Sequence, residues 1–195
     1  MEPRHNISTA AQQHSQSGDR LFSNSLISSE SSASLPEGYS FRALQRSDFS
    51  RGHVTVLKDL AYVGDVTEEK WIERFDAMKK REDTYFVLVI VKKTESGEVI
   101  IGTGTLVVEL KFLGNLGVQG HIEDIAIAKD YHGMKFGMKL IKALDHIAAQ
   151  LECYKSILDC SDRTKGFYEK CGYERAGLEM HRYHDLNSEA AKHHV

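Results

Sequence analysis

The chain reads as an α/β fold built on a mixed sheet, and three observations carry that reading. Residues 84–91 (TYFVLVIV) form a continuous apolar run, the pattern of a central strand covered on both faces. Residues 120–127 (GHIEDIAI) form a second apolar strand, interrupted by two adjacent acids, that leads into a glycine-bearing turn. After that turn, Phe136, Leu140, Leu144, Ile147 and Leu151 keep one apolar stripe while Lys135, Lys139 and Lys142 face elsewhere, which predicts a long amphipathic helix. A length of 195 residues suits one domain with a sizeable core.

The remaining elements follow in order. Residues 1–37 are rich in Ser, Gln and Asn, hold both prolines (Pro3 and Pro36) and lack sustained periodicity, so a disordered leader is expected. The folded domain is expected over residues 38–187, with a frayed polar tail over 188–195. Residues 39–44 read as a first strand and 46–59 as a helix. Thr67 caps a second helix whose first turn carries Glu68 and Glu69, and Trp71, Phe75 and Met78 give it one apolar face. The strand at 84–91 turns at Glu95-Ser96-Gly97-Glu98 and returns over 99–110 as an antiparallel hairpin. A loop at 114–117 precedes the acid-bearing strand. Residues 154–158 read as a short strand ending in Asp159, and 163–170 as a short helix stopped by Gly172. Residues 173–184 read as a final strand.

Composition narrows the function classes. A net charge of −3 with 27% charged residues gives no basic stripe of the kind nucleic-acid binders carry. No apolar run approaches the roughly 20 residues needed to span a bilayer, and the start lacks a signal-peptide core, so a cytoplasmic protein without membrane or nucleic-acid partners is expected. Cys153, Cys160 and Cys171 are odd in number and match no zinc spacing; they read as small buried hydrophobes, and no metal is expected.

The chemistry concentrates in two places. Acids in an apolar strand, here Glu123 and Asp124, suggest a substrate site. Neighbours in a strand point to opposite faces, so both acids reach one site only through a bulge; the structural alternative pairs either with Lys111 or Lys155. The glycine-bearing turn opens a helix whose unpaired N–H groups and positive dipole end suit a phosphate, with Lys135 or Lys139 adding charge.

These residues carry a resemblance. The turn His132-Gly133-Met134-Lys135-Phe136-Gly137 is similar to the acyl-CoA pyrophosphate loop of the GNAT acetyltransferase superfamily, Gln/Arg-x-x-Gly-x-Gly/Ala. It departs at His132 and Lys135, while Gly137 keeps the last position. The segments GHIEDIAI (120–127), CYKSILDC (153–160), FYEKCGY (167–173) and AGLEM (176–180) resemble the fungal-type glucosamine-6-phosphate N-acetyltransferase family, and the likeness runs over residues 38–184. The resemblance implies a GNAT fold with a mixed, mostly antiparallel sheet flanked by helices. It also implies direct acetyl transfer, in a ternary complex, from acetyl-CoA to the amine of glucosamine 6-phosphate, on the route to UDP-N-acetylglucosamine. A homodimer is implied, with acceptor sites completed by the partner subunit.

Roles carry over by position. Glu123 and Asp124 would face the amino sugar and accept its proton, and Asp159 would bind or orient the amine, a helix-cap role being the rival. Tyr168 would protonate the departing thiolate, since a phenol of pKa about 10 matches a thiol; the rival is an ordinary core aromatic. Backbone N–H groups of Ile125, Ala126 and Ile127 would hold pantetheine and polarise the thioester. Gly133, Met134, Lys135, Phe136, Gly137 and Met138 would cradle the pyrophosphate, with Thr164 replacing an amide side chain at CoA. Lys111, Lys155 and Arg182 would meet the sugar phosphate, with help from His121 and beside Tyr154. Phe112, Leu113, Gly114, Leu60 and Ala61 would line the sugar pocket, Ala61 standing where a hydroxyl residue can occur. Two rivals remain: a GNAT enzyme for a polyamine or protein N-terminus, and a catalytically silent acyl-CoA sensor.

Overall fold

The computed structural model of the chain describes residues 19–185 and 187–192. The apolar run becomes β2 (Tyr85–Thr94), with Phe86 through Val91 all buried. A two-residue turn, Glu95-Ser96, leads into β3 (Gly97–Leu110), where Gly97 takes the left-handed φ of 126° that a side chain would resist. β1 (Tyr39–Ala43) pairs antiparallel with β2 on the other side. β4 (Val118–Ile127) lies antiparallel on β3, and β5 (Cys153–Ile157) parallel on β4. The sheet order is β1-β2-β3-β4-β5, the mixed and mostly antiparallel arrangement expected.

Helices cover both faces. α2 (His53–Lys58) and α3 (Glu68–Lys79) lie on the face to which Thr103 points, since His53 contacts Thr103 and Trp71 contacts His53. Thr67 caps α3 as expected, its hydroxyl accepting the Lys70 N–H at 3.4 Å. α5 (Phe136–Gln150) covers the opposite face and buries Phe136, Leu140, Ile141, Leu144 and Ile147. Gly104 makes that packing possible: a Cβ there would stand 2.5 Å from Ile125 Cδ1 and 2.9 Å from Leu144 Cδ1. α6 (Asp162–Cys171) follows β5 and ends at Gly172, in the left-handed region at φ 102°. Among the described residues no helix is long and apolar enough to cross a membrane.

Five expectations need correction. Residues 19–37, placed in the disordered leader, are packed into the domain: Leu21, Phe22, Leu26 and Leu35 join the core, and α1 (Ser29–Ala33) precedes β1. Phe22 packs 5.5 Å from Phe86 between ring centres, and Arg20 forms an isolated bridge with Gln45. A few apolar residues in a Ser-rich stretch suffice once a groove receives them, and composition averaged over the stretch hides that. Residues 1–18 lie outside the described residues.

The helix expected over 46–59 shrinks to α2. Gly52, at φ 93°, breaks propagation, and Asp48, fully buried, binds Arg42 at 2.7 and 2.8 Å instead. The final strand expected over 173–184 is irregular and pairs with no strand among the described residues, leaving Leu178 and Met180 bare. Alternation is legible there, but a strand also needs a sheet edge. Within the expected frayed tail, Glu189–Lys192 forms a helical turn, α7. Cys160 is exposed because it lies past the end of β5, while Cys153 and Cys171 are half-buried.

Candidate active site

The site begins with a bulge in β4. Thr103 pairs with Ala126 and Thr105 with Glu123, so Asp124 and Ile125 together face the single residue Gly104. Asp124 takes up the extra length in a left-handed conformation, φ 53°. Ile125 turns toward α5, while Asp124 lines a cavity of about 350 Å³ with Thr103, Thr105 and His53. Glu123, opposite Thr105, belongs to that same face of the sheet. The two acids therefore come to one side, as a regular strand would forbid.

Period-two arithmetic extends the face. Glu109 on β3 and Lys111 just past its end follow Val107, His121 and Glu123 share the face on β4, and Asp159 stands two residues beyond Ile157, the partner of His121. His121 Nε2 lies 3.1 Å from Glu123 Oε1 and 3.3 Å from Asp159 Oδ2, without an aligned hydrogen bond to either. Its Nδ1 lies 3.7 Å from Glu109 Oε1, and the other oxygen of Glu109 is paired with Lys111. Burial raises the Glu123 carboxyl pKa; His121 opposes the shift, and Asp124, Asp159 and Glu179 add to it. Asp124 keeps access to solvent, yet the partial desolvation of the cavity wall raises its pKa as well.

β4 and β5 pair only as far as His121 and Ile157. Beyond that point β4 has a strand neighbour on its β3 side alone, which leaves Ile125, Ala126 and Ile127 without a β5 partner, the Ile127 carbonyl being taken by His132. A cavity of about 400 Å³ beside the end of β5 is lined by Asp159, Cys160, Tyr168, Tyr173 and Glu179 among others. Tyr168 is held by Phe167, 5.0 Å away between ring centres, and by Tyr173 at 6.4 Å, and burial raises its phenol pKa. The Tyr173 hydroxyl donates to Asp145 Oδ1 at 2.6 Å, tying the segment after α6 to α5.

The glycine-bearing turn keeps the shape its motif demands. Gly133 is left-handed at φ 82°, and Lys135, where the motif has glycine, adopts φ 61° despite its side chain. His132 Nε2 donates to the Ile127 carbonyl at 2.8 Å, fixing the turn to the end of β4. No side chain caps α5 and no acid sits in its first turn, so its leading N–H groups are free for an anion. Around Gly133 nothing lies within 4 Å of where a Cβ would stand, while Gly137 allows Phe167 to approach to 3.3 Å of its own Cβ position. Such a helix end suits a phosphate group. Met134 is exposed and Met138 half-buried at the same turn. The Thr164 hydroxyl donates to the Ser161 carbonyl within the first turn of α6.

The expected cations and pocket walls are dispersed. Lys155 sits over the Tyr154 ring at 5.6 Å, and Tyr154 donates to Gln119 at 3.4 Å. Neither Lys111 nor Lys155 has a described pairing with Glu123 or Asp124. Arg182 is exposed in the irregular segment. Phe112, Leu113 and Gly114 stand out from the sheet around a short helical turn, α4 (Leu113–Leu116), and Leu60 and Ala61 are exposed after α2.

Sequence reasoning missed one group at the site. Trp71 Nε1 donates to His53 Nδ1 at 3.2 Å, so the ring proton sits on Nε2, 3.2 Å from Thr103 Oγ1. Burial lowers the His53 pKa to about 4, keeping it neutral. His53 and Trp71 come from different helices, and no local spacing announces their contact; Trp71 had shown only as an apolar helix position.

Comparison with known proteins agrees with this geometry. Residues 42–173 match the family model described as the acetyltransferase (GNAT) family. The chain is 43% identical over 152 residues to glucosamine 6-phosphate N-acetyltransferase 1 of Dictyostelium discoideum, covering 78% of this chain and 95% of that one. It is 40% identical over 146 residues to glucosamine 6-phosphate N-acetyltransferase of Candida albicans, covering 75% and 96%. The crystal structure of glucosamine-6-phosphate N-acetyltransferase from Arabidopsis thaliana superposes with a TM-score of 0.71 at 36% identity, covering 76% of this chain and 100% of that one. With bulge, open strand gap and uncapped helix end in place, the chain belongs to the GNAT acetyltransferase family.

Proposed function

We propose that this protein transfers the acetyl group of acetyl-CoA to the amine of D-glucosamine 6-phosphate, releasing CoA and N-acetylglucosamine 6-phosphate, a precursor of UDP-N-acetylglucosamine. The observation that carries the reading is the bulge, which sets Glu123 and Asp124 on the face where His121 meets Asp159. The names of the relatives support the acceptor.

In this reading the free N–H groups at the start of α5 hold the pyrophosphate and the open backbone of Ile125–Ile127 holds pantetheine, polarising the thioester carbonyl. The acids orient the acceptor ammonium and take its proton. Asp159 holds the resulting amine, which attacks the thioester directly. Tyr168, on the wall shared with Asp159, returns a proton to the leaving thiolate; its raised pKa keeps that proton in place until the thiolate forms. Lys111, Lys155 and Arg182 meet the sugar phosphate, and His121, Tyr154, Ala61 and the loop at Phe112–Gly114 complete the pocket.

The functional unit in this reading is a homodimer. Leu110, Phe112, Leu113, Leu116 and Tyr154 are exposed on one end of the sheet, and Phe112 is 95% exposed, more apolar surface than a lone domain leaves to water. Three cysteines outside any disulfide suit a reducing compartment, and we place the reaction in the cytoplasm.

Thiol release from acetyl-CoA, measured with glucosamine 6-phosphate beside unphosphorylated glucosamine, tests the acceptor. Much faster turnover with the phosphorylated sugar is expected, and turnover with neither sinks the assignment. Tyr168→Phe is expected to lower kcat by about 10²-fold with acetyl-CoA binding intact. Unchanged kcat would remove Tyr168 from the acid role.

A further inference from the structure

The face that carries the acids also carries a continuous run of ionisable side chains, and this run has two ends of different chemistry. At one end is Lys111, whose ammonium is engaged by Glu109. The second oxygen of Glu109 lies 3.7 Å from His121 Nδ1, a distance that leaves the contact loose. At the other end His121 Nε2 stands between Glu123 and Asp159, at 3.1 and 3.3 Å, without an aligned hydrogen bond to either. Exposure is lowest at the middle of the run, 21% at the His121 side chain against 34% at Lys111, 45% at Glu123 and 51% at Asp159, so the imidazole forms the floor and both ends reach the cleft.

We propose that His121 is a positioning residue that couples the phosphate end of the acceptor to its amine end. This inference rests on the acceptor reading above. A phosphate dianion competes with Glu109 for Lys111, and wins because it carries more charge and more acceptor oxygens than a carboxylate. Glu109 then has one favourable partner left within reach, Nδ1 of His121. Drawing the ring toward Glu109 closes the loose contact, fixes the imidazole, and aligns Nε2 with Glu123 and Asp159. Acceptors without phosphate leave Lys111 on Glu109, the ring loose, and the two carboxylates poorly placed for the amine. No bond is made or broken in this coupling; it converts phosphate binding into carboxylate geometry and so into kcat rather than into affinity alone. His121 and Glu109 do not touch the reacting atoms in this scheme.

The test compares His121→Gln, Glu109→Gln and the double variant with the unaltered protein, each assayed with glucosamine 6-phosphate and with glucosamine. Thermal melting and acetyl-CoA affinity report that each variant is folded. In the unaltered protein kcat is expected to be higher with the phosphorylated sugar, and inorganic phosphite added in trans to raise turnover of glucosamine. Each single substitution is expected to lower the kcat ratio of the two sugars by about tenfold and to abolish the phosphite effect, with the double variant no worse than either single one. Loss of turnover in equal proportion for both sugars, or additive losses in the double variant, would overturn the coupling and leave His121 a structural residue. Turnover of both sugars at one rate by the unaltered protein is a different failure: it overturns the acceptor reading, and this inference with it.

Discussion

In the proposed reading, Asp124 sets function against stability at the scale of one residue. It adopts a left-handed backbone that few residues other than Gly, Asn and Asp tolerate, and it holds a carboxylate against a cavity wall that disfavours the charge. The folded state raises its pKa above the unfolded value, so the fold binds the proton more tightly than the open chain does. The ionised form therefore costs stability at pH above the folded pKa; the cost fades as pH falls from there to the ordinary carboxylate value and is gone below it. Asp124→Asn keeps the shape and the backbone preference while removing the charge. The thermal midpoint at neutral pH is expected to rise by a few degrees, roughly 2–4 °C, the gain to shrink as the buffer is acidified, and acetyl transfer to fall steeply. A variant less stable at neutral pH would contradict the sign. If these carboxyls are the base, as proposed, the acid limb of the kcat/KM profile is expected above the range of a free carboxylic acid, because the base must be ionised to work.

Among the elements, the turn into α5 carries the clearest prediction. Lys135 takes the left-handed conformation that the related motif assigns to glycine, at a cost of about 1–2 kcal/mol for a residue with a Cβ. Lys135→Gly relieves that strain, and acetyl-CoA affinity measured by calorimetry is expected to stay within about threefold. Lys135→Val, β-branched, is expected to distort the turn and weaken binding by at least tenfold. Equal effects of the two substitutions would show that the charge, not the backbone, matters there. Elements of this kind were legible beforehand where one local rule decides them. The Thr67 cap, the apolar stripe of α5 and the Gly172 stop each follow from residues within a turn or two. The bulge was legible as a requirement, because two neighbouring acids cannot share a face without one. Helix 46–59 and strand 173–184 were misjudged because their fates depend on partners: a buried Arg42–Asp48 pair claims the lead-in to α2, and no sheet edge receives the last segment.

For the whole molecule, the apolar end of the sheet is the feature that a single copy leaves unexplained. If Phe112 and Leu113 seal a dimer, Phe112→Glu with Leu113→Glu is expected to convert a dimer of about twice the chain mass into a monomer by sedimentation velocity, with turnover falling alongside. A monomeric parent protein would remove the dimer from the proposal. The core that carries this surface draws on residues far apart in the chain, including Leu21 and Phe22, which no reading of the Ser-rich stretch had placed there.

By itself the sequence determined the strand and helix types, the mixed sheet, the acid-bearing strand and the glycine-bearing turn, because periodicity, capping and φ preference act over a few residues. Tertiary structure alone decided where those parts meet. It parted β4 from β5, set His121 between carboxylates from two strands, locked His53 to Trp71 and Thr103, and drew residues 19–37 into the core. Each of these is a contact between distant segments, favoured only once burial and charge are shared in the folded sheet, and no local pattern encodes it.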